Sequence, residues 1–506
     1  MTFLLLPFWG QCFLAVVGAI ASYVIWAQTY WARRGVPHTR PVPVLGNLWD
    51  TIRGRRSAAE ILGEMYRRFD KYPVVGTYNL MRPVLLLRDP ALVKQVLITN
   101  FSSFPVNEVV YPAGKDELLS ENPFAADATR WKDMRLKMAQ SFSPARVKLG
   151  FEDVRSSARA LAALIASESG NSSMEASLLA RRYTAHTSTR ALFGIESHSL
   201  EIGQAPGVFY EKGHEIWNGN FISYFRILAF FNCPDLLPLV GYKMVNSDTV
   251  GFFRKLVVDS VEFRQKEGIT RDDLVQNSAM LILKDGKIDE AALDTVTGKA
   301  LTTFSETFET SAMATASALL HLAISPQHQD RLREELRGAF PDGNVEHDKL
   351  MELRYLDQVL KEVLRILPPV EVIRRRCEKT TTLQPEEGDA VTVEAGTAVY
   401  VDIVALHHDP AYFSHPEEFW PDHFSDEECE SRPKCVYLPF GDGPRQCVGI
   451  RYAMQLVKVA VATLVLHFRL TPGPEQVLPV QRDPASLVLG IKGGIWLRFE
   501  PLDSQA

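Results

Sequence analysis

The longest apolar stretch of the chain lies at its N-terminus. Residues 1–32 include no charged side chain, and most of them up to Trp26 are apolar. About 20 such residues are enough for a helix to span a bilayer. The pair Arg33-Arg34 ends the stretch, and basic residues in this position favour the cytosolic side of a membrane. We predict a single-pass anchor over 1–32, because a cleaved signal peptide carries its positive charge before the apolar stretch.

A basic, proline-rich segment follows over residues 33–47. It contains Pro37, Pro41 and Pro43, and three prolines in seven residues favour extended polyproline II geometry and exclude a helix. The segment is expected to be a stiff spacer between the anchor and a globular body of residues 48–506. An ordinary surface loop is the alternative.

The pattern of apolar positions in the body predicts a mainly α-helical fold with small β-sheets. Strands are expected near both ends, at 73–78, 83–87, 390–393 and 398–402, with a closing hairpin around 492–494. Apolar residues recur at helical spacing over 151–168, 250–266, 296–324, 326–340, 347–366 and 450–467.

Composition narrows the class of protein. The chain has 506 residues, 46% of them hydrophobic, and neither a repeat nor a long flexible linker divides it, so one large globular unit is expected. A net charge of −6 argues against a general nucleic-acid binder. The six cysteines form no CxxC pair, which argues against both a disulfide framework and a zinc site.

The clearest chemical motif lies between Phe440 and Gly449, where the sequence reads F-G-x-G-x-R-x-C-x-G. A glycine-rich loop here presents a single thiol, Cys447, just before an apolar helix. The N-terminus of a helix stabilises a thiolate, and glycines let backbone amides approach the sulfur. A lone cysteine before a helix is more often inert packing, but the complete pattern favours a metal ligand.

This loop resembles that of the cytochrome P450 family, and the resemblance extends over essentially the whole chain. It is closest to microsomal members from animals, especially insects. The resemblance implies the cytochrome P450 fold and a haem b cofactor, with Cys447 as the axial thiolate of the iron. It also implies that Phe440 lies against the haem and sulfur, that Gly449 belongs to the haem-binding loop, and that Arg445 pairs with a propionate.

Other haem contacts are implied by weaker motifs. Trp131 and Arg135 match the family's W-x-x-x-R helix, and the resemblance implies that both contact the haem propionates. Their spacing puts both side chains on one helix face, which permits this. In the run Ile373–Cys377 an arginine of the family binds the other propionate, and the spacing favours Arg375.

The E-x-x-R motif is represented by Glu362 and Arg365, which share a helix face. In the family this pair is buried and held by an arginine from a later loop. Here His423 stands in that place. Histidine is shorter and titrates near neutral pH, so we expect a weaker or pH-sensitive lock.

The distal helix matches the family pattern A/G-G-x-D/E-T at Glu309 and Thr310, the acid–alcohol pair that organises protons for catalysis. Two residues depart from it. Glu306 replaces a small residue, and Thr307 replaces the glycine that leaves room above the haem. In the fatty-acid ω-hydroxylase branch a glutamate at the position of Glu306 can form an ester with a haem methyl group.

The resemblance implies a monooxygenase that inserts one atom of O₂ into a lipophilic small molecule. Electrons would come from NADPH-cytochrome P450 reductase, with cytochrome b5 as an additional donor, at the endoplasmic reticulum membrane with the catalytic domain facing the cytosol. No nucleic acid is expected as a partner. Two alternatives stay open: a haem-thiolate isomerase or dehydratase that needs no O₂, which the Glu309-Thr310 pair argues against, and a non-catalytic haem- or lipid-binding protein.

Overall fold

The fold was analysed in a computed structural model, which describes residues 8–168, 170, 172–218, 221–233, 236–271, 273–276, 282–284, 287–484, 486 and 488–502. The first seven residues of the predicted anchor lie outside this part of the chain. The chain divides into two compact units. One comprises Met1–Glu108 and Val372–Leu406, and the other comprises Val109–Glu371 and His407–Ala506.

The first unit is built around a five-stranded sheet with strand order β1-β2-β10-β7-β3. Strands β1 and β2 are antiparallel, β10 runs parallel to β2, and β7 is antiparallel to both β10 and β3. A separate ribbon pairs β8 with β9. The strands are β1 (Val74–Asn79), β2 (Arg82–Leu87), β3 (Val106–Asn107), β7 (Val372–Arg376), β8 (Thr381–Leu383), β9 (Val391–Val393) and β10 (Ala398–Asp402).

Short helices and the N-terminal helix complete this unit. The N-terminal helix is long and apolar and is exposed over most of its length, as expected of a membrane anchor, whereas Val24, Ala27 and Gln28 near its end are buried. The helices are α1 (Phe8–Gln28), α2 (Trp49–Ile52), α3 (Ala58–Arg68) and α4 (Pro90–Lys94), and α17 (Ile403–His407) follows β10 where the chain passes to the second unit.

The second unit is dominated by helices packed around one central helix, α13. Helix α13 runs over Glu290–Ile324, and most of its residues are buried on every side, as in a helix that forms the middle of a large core. The others are α5 (Glu117–Ser120), α6 (Ala128–Ser141), α7 (Pro144–Leu149), α8 (Phe151–Glu168), α9 (Ala176–Phe193), α10 (Val208–Asn218), α11 (Phe221–Asn232), α12 (Ser247–Glu267), α14 (Pro326–Ala339), α15 (His347–Glu352), α16 (Arg354–Ile366), α18 (Asp426–Ser431) and α19 (Ile450–His467).

Its strands form two small sheets, so the prediction of a mainly helical fold is confirmed. One sheet has the order β11-β12-β4 and the other pairs β5 with β6. They comprise β4 (Met174–Glu175), β5 (Leu283–Lys284), β6 (Lys287–Ile288), β11 (Phe468–Pro472) and β12 (Trp496–Pro501).

Several predicted elements agree closely with the structure, and two do not. The helices predicted at 151–168 and 450–467 have those bounds. The predicted helix 347–366 is two helices, broken at Leu353, because the carboxylate of Glu335 accepts hydrogen bonds from the N–H groups of Tyr355 and Leu356 and so starts a new helix. The predicted closing hairpin is also wrong in detail, since β12 pairs with β11 rather than with a strand just before residue 492.

Candidate functional site

The cysteine loop holds Cys447 by its backbone. The N–H of Cys447 donates to the carbonyl of Phe440 (2.9 Å), and Gly441 and Gly443 adopt positive φ angles of 68° and 71° that let the loop turn back. Gly449 is the N-cap of α19. Burial raises the pKa of the Cys447 thiol, and the Gly449 N–H and Arg135 lower it without overcoming burial. The helix terminus alone therefore does not make this a thiolate.

Cys447 and Glu306 lie near each other in the second unit. Both side chains are exposed, although protein surrounds each of them. They are close enough for the carboxyl group of Glu306 to contribute to the raised pKa of the thiol. The cysteine loop therefore lies near the turn of the central helix α13 that carries Glu306.

Helix α6 brings the predicted Trp131 and Arg135 to the cysteine loop. The guanidinium of Arg445 stacks on the Trp131 ring at 4.6 Å and donates to the carbonyls of Pro123 (2.9 Å) and Ala126 (3.2 Å). Arg135 donates to the carbonyl of Gln446 (2.6 Å). Burial lowers the pKa of Arg135, and Cys447 opposes this shift. These basic side chains are thus fixed beside the thiol.

Arg375 lies in the first unit, on β7. Its side chain is only 6% exposed and donates to the side chain of Asn107, whereas its Nε has no hydrogen-bond partner among the described residues. Burial lowers its pKa to about 10. The neighbouring arginines both have carboxylates, Arg374 near Glu108 (4.0 Å) and Arg376 with Glu378 (2.8 Å). Arg375 is therefore the member of the run that is suited to an external anion.

The distal turn of α13 departs from the expected arrangement of the acid–alcohol pair. Glu309 is 2% exposed and forms a bidentate ion pair with Arg181 of α9, with N–O distances of 2.7 and 2.9 Å. Burial disfavours the charge of Arg181, but Glu309 outweighs burial and the pKa of Arg181 is raised. The Thr310 hydroxyl donates to the carbonyl of Glu306 (2.7 Å). Sequence reasoning missed Arg181, because no local motif marks it.

The two unusual residues of this turn have separate partners. Asn122 donates to Glu306 Oε1 (3.0 Å), and burial raises the pKa of Glu306 while this hydrogen bond lowers it. The hydroxyl of Thr307 donates to the carbonyl of Thr303 (2.9 Å) and lies 3.0 Å from the hydroxyl of Ser188 on α9. The polar end of Thr307 is thus directed to a neighbouring helix, which reduces the crowding expected from loss of the glycine.

The E-x-x-R lock is complete in spite of its histidine. Glu362, Arg365 and His423 are all fully buried, and Arg365 holds both oxygens of Glu362 at 2.8 Å. His423 Nδ1 lies 3.1 and 3.2 Å from these oxygens, and its Nε2 faces the carbonyl of Ser414. Both ring nitrogens thus face oxygen atoms that can accept hydrogen bonds. The pKa of Glu362 is lowered, since Arg365 and His423 outweigh burial.

His407 connects this lock to the cysteine loop, and sequence analysis did not identify it. Its Nδ1 donates to the carbonyl of Arg365 (3.1 Å), and its Nε2 accepts from the N–H of Leu438 (2.8 Å), two residues before Phe440. Burial holds the pKa of His407 well below its usual value, so the ring is neutral and can accept at Nε2. A lone histidine with no spacing motif gives no signal of this role.

A thiol presented at the start of a helix, facing the central helix of a large helical unit, defines a metal-thiolate class of site. Comparison with known proteins identifies the family. The cytochrome P450 family model matches residues 36–498. Cytochrome P450 6k1 of Blattella germanica is 30% identical over 503 residues, covering 95% of each chain, and probable cytochrome P450 6a18 of Drosophila melanogaster is 31% identical over 500 residues, covering 96% of this chain and 97% of its own. The chain belongs to the cytochrome P450 family, as the sequence predicted, and is a monooxygenase by class.

Membership implies a haem cofactor, and the residues present fit one. Among the described residues, no group of three or more His, Cys, Asp or Glu side chains could hold a metal ion by itself. The propionates of haem are anions, and the guanidinium groups of Arg135 and Arg445 beside the thiol are suited to bind them.

Proposed function

We propose that this chain is an endoplasmic-reticulum monooxygenase that inserts one oxygen atom from O₂ into a lipophilic small molecule. Its electrons are supplied by NADPH-cytochrome P450 reductase, with cytochrome b5 as an additional donor. The observation that carries the proposal is the arrangement in the second unit. Cys447 has the basic side chain of Arg135 beside it and lies near the Glu306–Thr310 turn of α13.

Haem b, when bound at this site, supplies the chemistry that activates O₂. Cys447 would be its thiolate ligand, and the loop that contains Phe440, whose carbonyl orients the cysteine, and Gly449 would hold it. Trp131, Arg135 and Arg445 of the second unit would bind its propionates. The metal also explains how Cys447 is held as a thiolate, because a coordinating cation deprotonates a thiol that burial alone would keep protonated.

Thr310 and Glu309 deliver the protons. The proton of the Thr310 hydroxyl is engaged with the Glu306 carbonyl, so its oxygen is available to accept a hydrogen bond from a bound water or substrate. Glu309 is held on the side of α9 by its ion pair with Arg181. Arg181 acts as a positioning residue in this arrangement.

An isomerase or dehydratase that needs no O₂ is the second candidate, and the ion pair of Glu309 with Arg181 favours it. A carboxylate held by an arginine is a poorer proton donor than a free one. The two candidates differ in what they consume. Product that forms only with O₂, NADPH and reductase supports the monooxygenase, and product that forms without them supports the isomerase.

The ligand is tested by the carbon monoxide difference spectrum of the reduced protein. We expect the red-shifted Soret band of thiolate ligation in the wild type, its loss in Cys447→Ser, and its retention in Cys435→Ser. Cys435 is a matched control, because it is also a loop cysteine of the same unit but is buried beside Asp442 (3.4 Å). An unchanged band in Cys447→Ser would contradict the proposal.

Membrane topology is tested separately. Asn100-Phe-Ser102 is a formal glycosylation acceptor. A catalytic domain that faces the cytosol does not meet the lumenal glycosylation machinery, so Asn100 should remain unmodified when the full chain is produced in a eukaryotic host. Glycan at Asn100 would reverse the orientation that Arg33-Arg34 predicts.

A further inference from the structure

The end of the anchor helix is built into the first unit rather than joined to it by a loose tether. Trp31, three residues after α1, is 1% exposed. Its indole N–H donates to the carbonyl of Thr77 (3.0 Å), and its backbone N–H donates to the hydroxyl of Tyr78 (3.1 Å). Gly76 makes room for the ring, since a Cβ there would lie 2.4 Å from Trp31 Cγ. The indole is therefore fixed against the middle of β1.

A second set of hydrogen bonds to the first unit is made by Gln28, the last residue of α1. The carboxamide of Gln28, which is 8% exposed, donates to the carbonyls of Val42 (3.1 Å) and Leu80 (3.3 Å) and accepts from the N–H of Val44 (3.3 Å). All three hydrogen bonds engage backbone groups, so they tie the helix end to two separate turns of the first unit. A buried amide with its bonding capacity satisfied in this way fixes orientation as well as contact.

The segment predicted as a spacer is part of the same assembly. His38 bridges to Gly76, and Gly46 bridges to Asn79 at the end of β1. Arg34 forms an ion pair with Glu394 (2.5 Å), to which the hydroxyl of Tyr30 also donates (3.1 Å). Residues 33–47 thus run along β1, and their prolines do not separate the helix from the body.

These contacts fix the direction in which α1 leaves the unit. Trp31 lies at Thr77, whereas Gln28 lies at Leu80, so the helix departs past the turn that joins β1 to β2. Its exposed aromatic residues Tyr23 (55%) and Trp26 (62%) are typical of a membrane interface. At about 1.5 Å of rise per residue, Trp26 and Gln28 are separated by roughly 3 Å along the helix axis.

The first unit also has exposed apolar side chains next to the end of α1. Val42 (47% exposed) and Val44 (46%) belong to the turn that holds Gln28, and Arg40, just before them, is exposed. We call the turns Val42–Val44 and Leu80–Met81 the anchor-side turns. Valines beside an aromatic belt, flanked by arginines, suit the headgroup layer of a bilayer with anionic lipids.

We infer that α1 and the first unit form one rigid body on the membrane, with the anchor-side turns resting in the lipid headgroup layer. The inference rests on the proposed membrane anchor, but it goes further, because a tethered body would be free to tilt. The anchor therefore sets the orientation of the first unit as well as its location. The occupant of the anchor-side turns is lipid, because they continue the surface of a long apolar helix that is exposed over most of its length.

The test is photocrosslinking to lipid. The full-length, haem-loaded chain is placed in phosphatidylcholine–phosphatidylserine vesicles with a genetically encoded benzoyl-phenylalanine at Val44, or at Tyr72 as a control. Tyr72 is 47% exposed on the same unit but lies at the far end of β1, roughly 25 Å from Leu80 at ~3.3 Å per residue. Mass spectrometry should find lipid adducts at position 44 and severalfold fewer at position 72. Equal labelling would overturn the inference.

The rigid attachment of α1 to the first unit is tested by removing the side chains that hold the end of the helix. Gln28→Ala and, separately, Trp31→Ala should lower the lipid adducts at position 44 toward the level at position 72, while vesicle flotation shows that the chain remains membrane-bound. Gln28→Ala is the milder change, and circular dichroism verifies its fold. Unchanged labelling in a folded Gln28→Ala and Trp31→Ala protein would contradict the rigid junction. Loss of flotation in the wild type would instead contradict the anchor itself.

Discussion

Glu362 and Glu306 are both glutamates on helices of the second unit, but they are surrounded differently. Glu362, on α16, is held by Arg365 and His423, and its pKa is lowered. Glu306, on α13, has the neutral side chain of Asn122 as its partner, and its pKa is raised because burial is the largest contribution. One carboxyl group is therefore stabilised as an anion, and the other is destabilised as one.

The comparison teaches that partners, rather than the helix that carries a carboxyl group, decide its charge. The cation of Glu362 is encoded three residues away, on the same helix face. The donor to Glu306 is 184 residues away in the chain. A buried charge with good partners costs much less than one without them, so the two sites should respond in opposite ways when the carboxylate is neutralised.

The largest effect is expected from Glu362→Gln. The change leaves Arg365 and His423 buried without their anion, and breaking a buried ion pair typically costs about 3–5 kcal/mol in the free energy of unfolding. Urea denaturation followed by tryptophan fluorescence measures this loss.

The control for this prediction is Glu64→Gln. Glu64 pairs with Arg56 at 2.9 Å, but their side chains are 59% and 40% exposed, so less than about 1 kcal/mol should be lost. If both variants lost the same small amount, the lock would contribute no more than a surface ion pair.

The same contrast explains how much of the fold and site could be predicted from the sequence. The cysteine loop was predictable, because its glycines, arginine and cysteine act within ten residues of chain, and the backbone alone brings them together. The environment of Glu309 could not be predicted from the sequence, because Arg181 belongs to another helix. The position of Arg181 depends on how α9 packs against α13. The break at Leu353 was hidden for the same reason, since the cap comes from Glu335.

A second prediction concerns Glu309, whose ion pair with Arg181 is nearly as buried as the lock. Arg181→Met and Glu309→Gln should each destabilise the protein by about 2–3 kcal/mol, less than Glu362→Gln because Arg181 is 14% exposed. The double variant should be more stable than the sum of the two losses by about 1–3 kcal/mol, which a double-mutant cycle measures.

Activity separates the structural role of Glu309 from its proposed catalytic role. If Glu309 delivers protons, Glu309→Gln and the double variant should both turn over substrate about 10²–10⁴-fold more slowly, even where stability is regained. Turnover that recovers together with stability in the double variant would make Glu309 a structural residue only.

The third prediction concerns the pH dependence of stability. Glu306 has a folded pKa above its usual value, so the folded chain holds a proton that the unfolded chain releases, and stability falls as the pH rises from the ordinary carboxyl range through the raised value. For Glu362 the pKa is lowered, and stability falls as the pH drops below the ordinary value. Glu306→Gln should therefore lose this slope and be stabilised relative to the wild type more at pH 8 than at pH 5, because it removes the carboxylate.

Melting temperatures of the wild type and Glu306→Gln at pH 5 and pH 8 test this expectation. Glutamine keeps an oxygen that can accept from Asn122, so the hydrogen bond is retained and the charge is the only change. A variant that melts below the wild type at pH 8 would show that Glu306 is stabilised as an anion in the folded protein.

The smallest effect is expected at the haem itself. A glutamate at the position of Glu306 can relieve its burial by an ester to a haem methyl group, but the hydrogen bond from Asn122 already provides a partner. A carboxyl group that already accepts a hydrogen bond forms an ester less readily. We therefore expect acid to extract the haem freely after turnover with reductase and NADPH. Mass spectrometry should then find no mass added to the protein chain. Glu306→Ala serves as the reference, since it cannot form the ester. Haem that stays bound to the wild type but is released from Glu306→Ala would establish the ester, and would mean that the hydrogen bond from Asn122 does not satisfy Glu306.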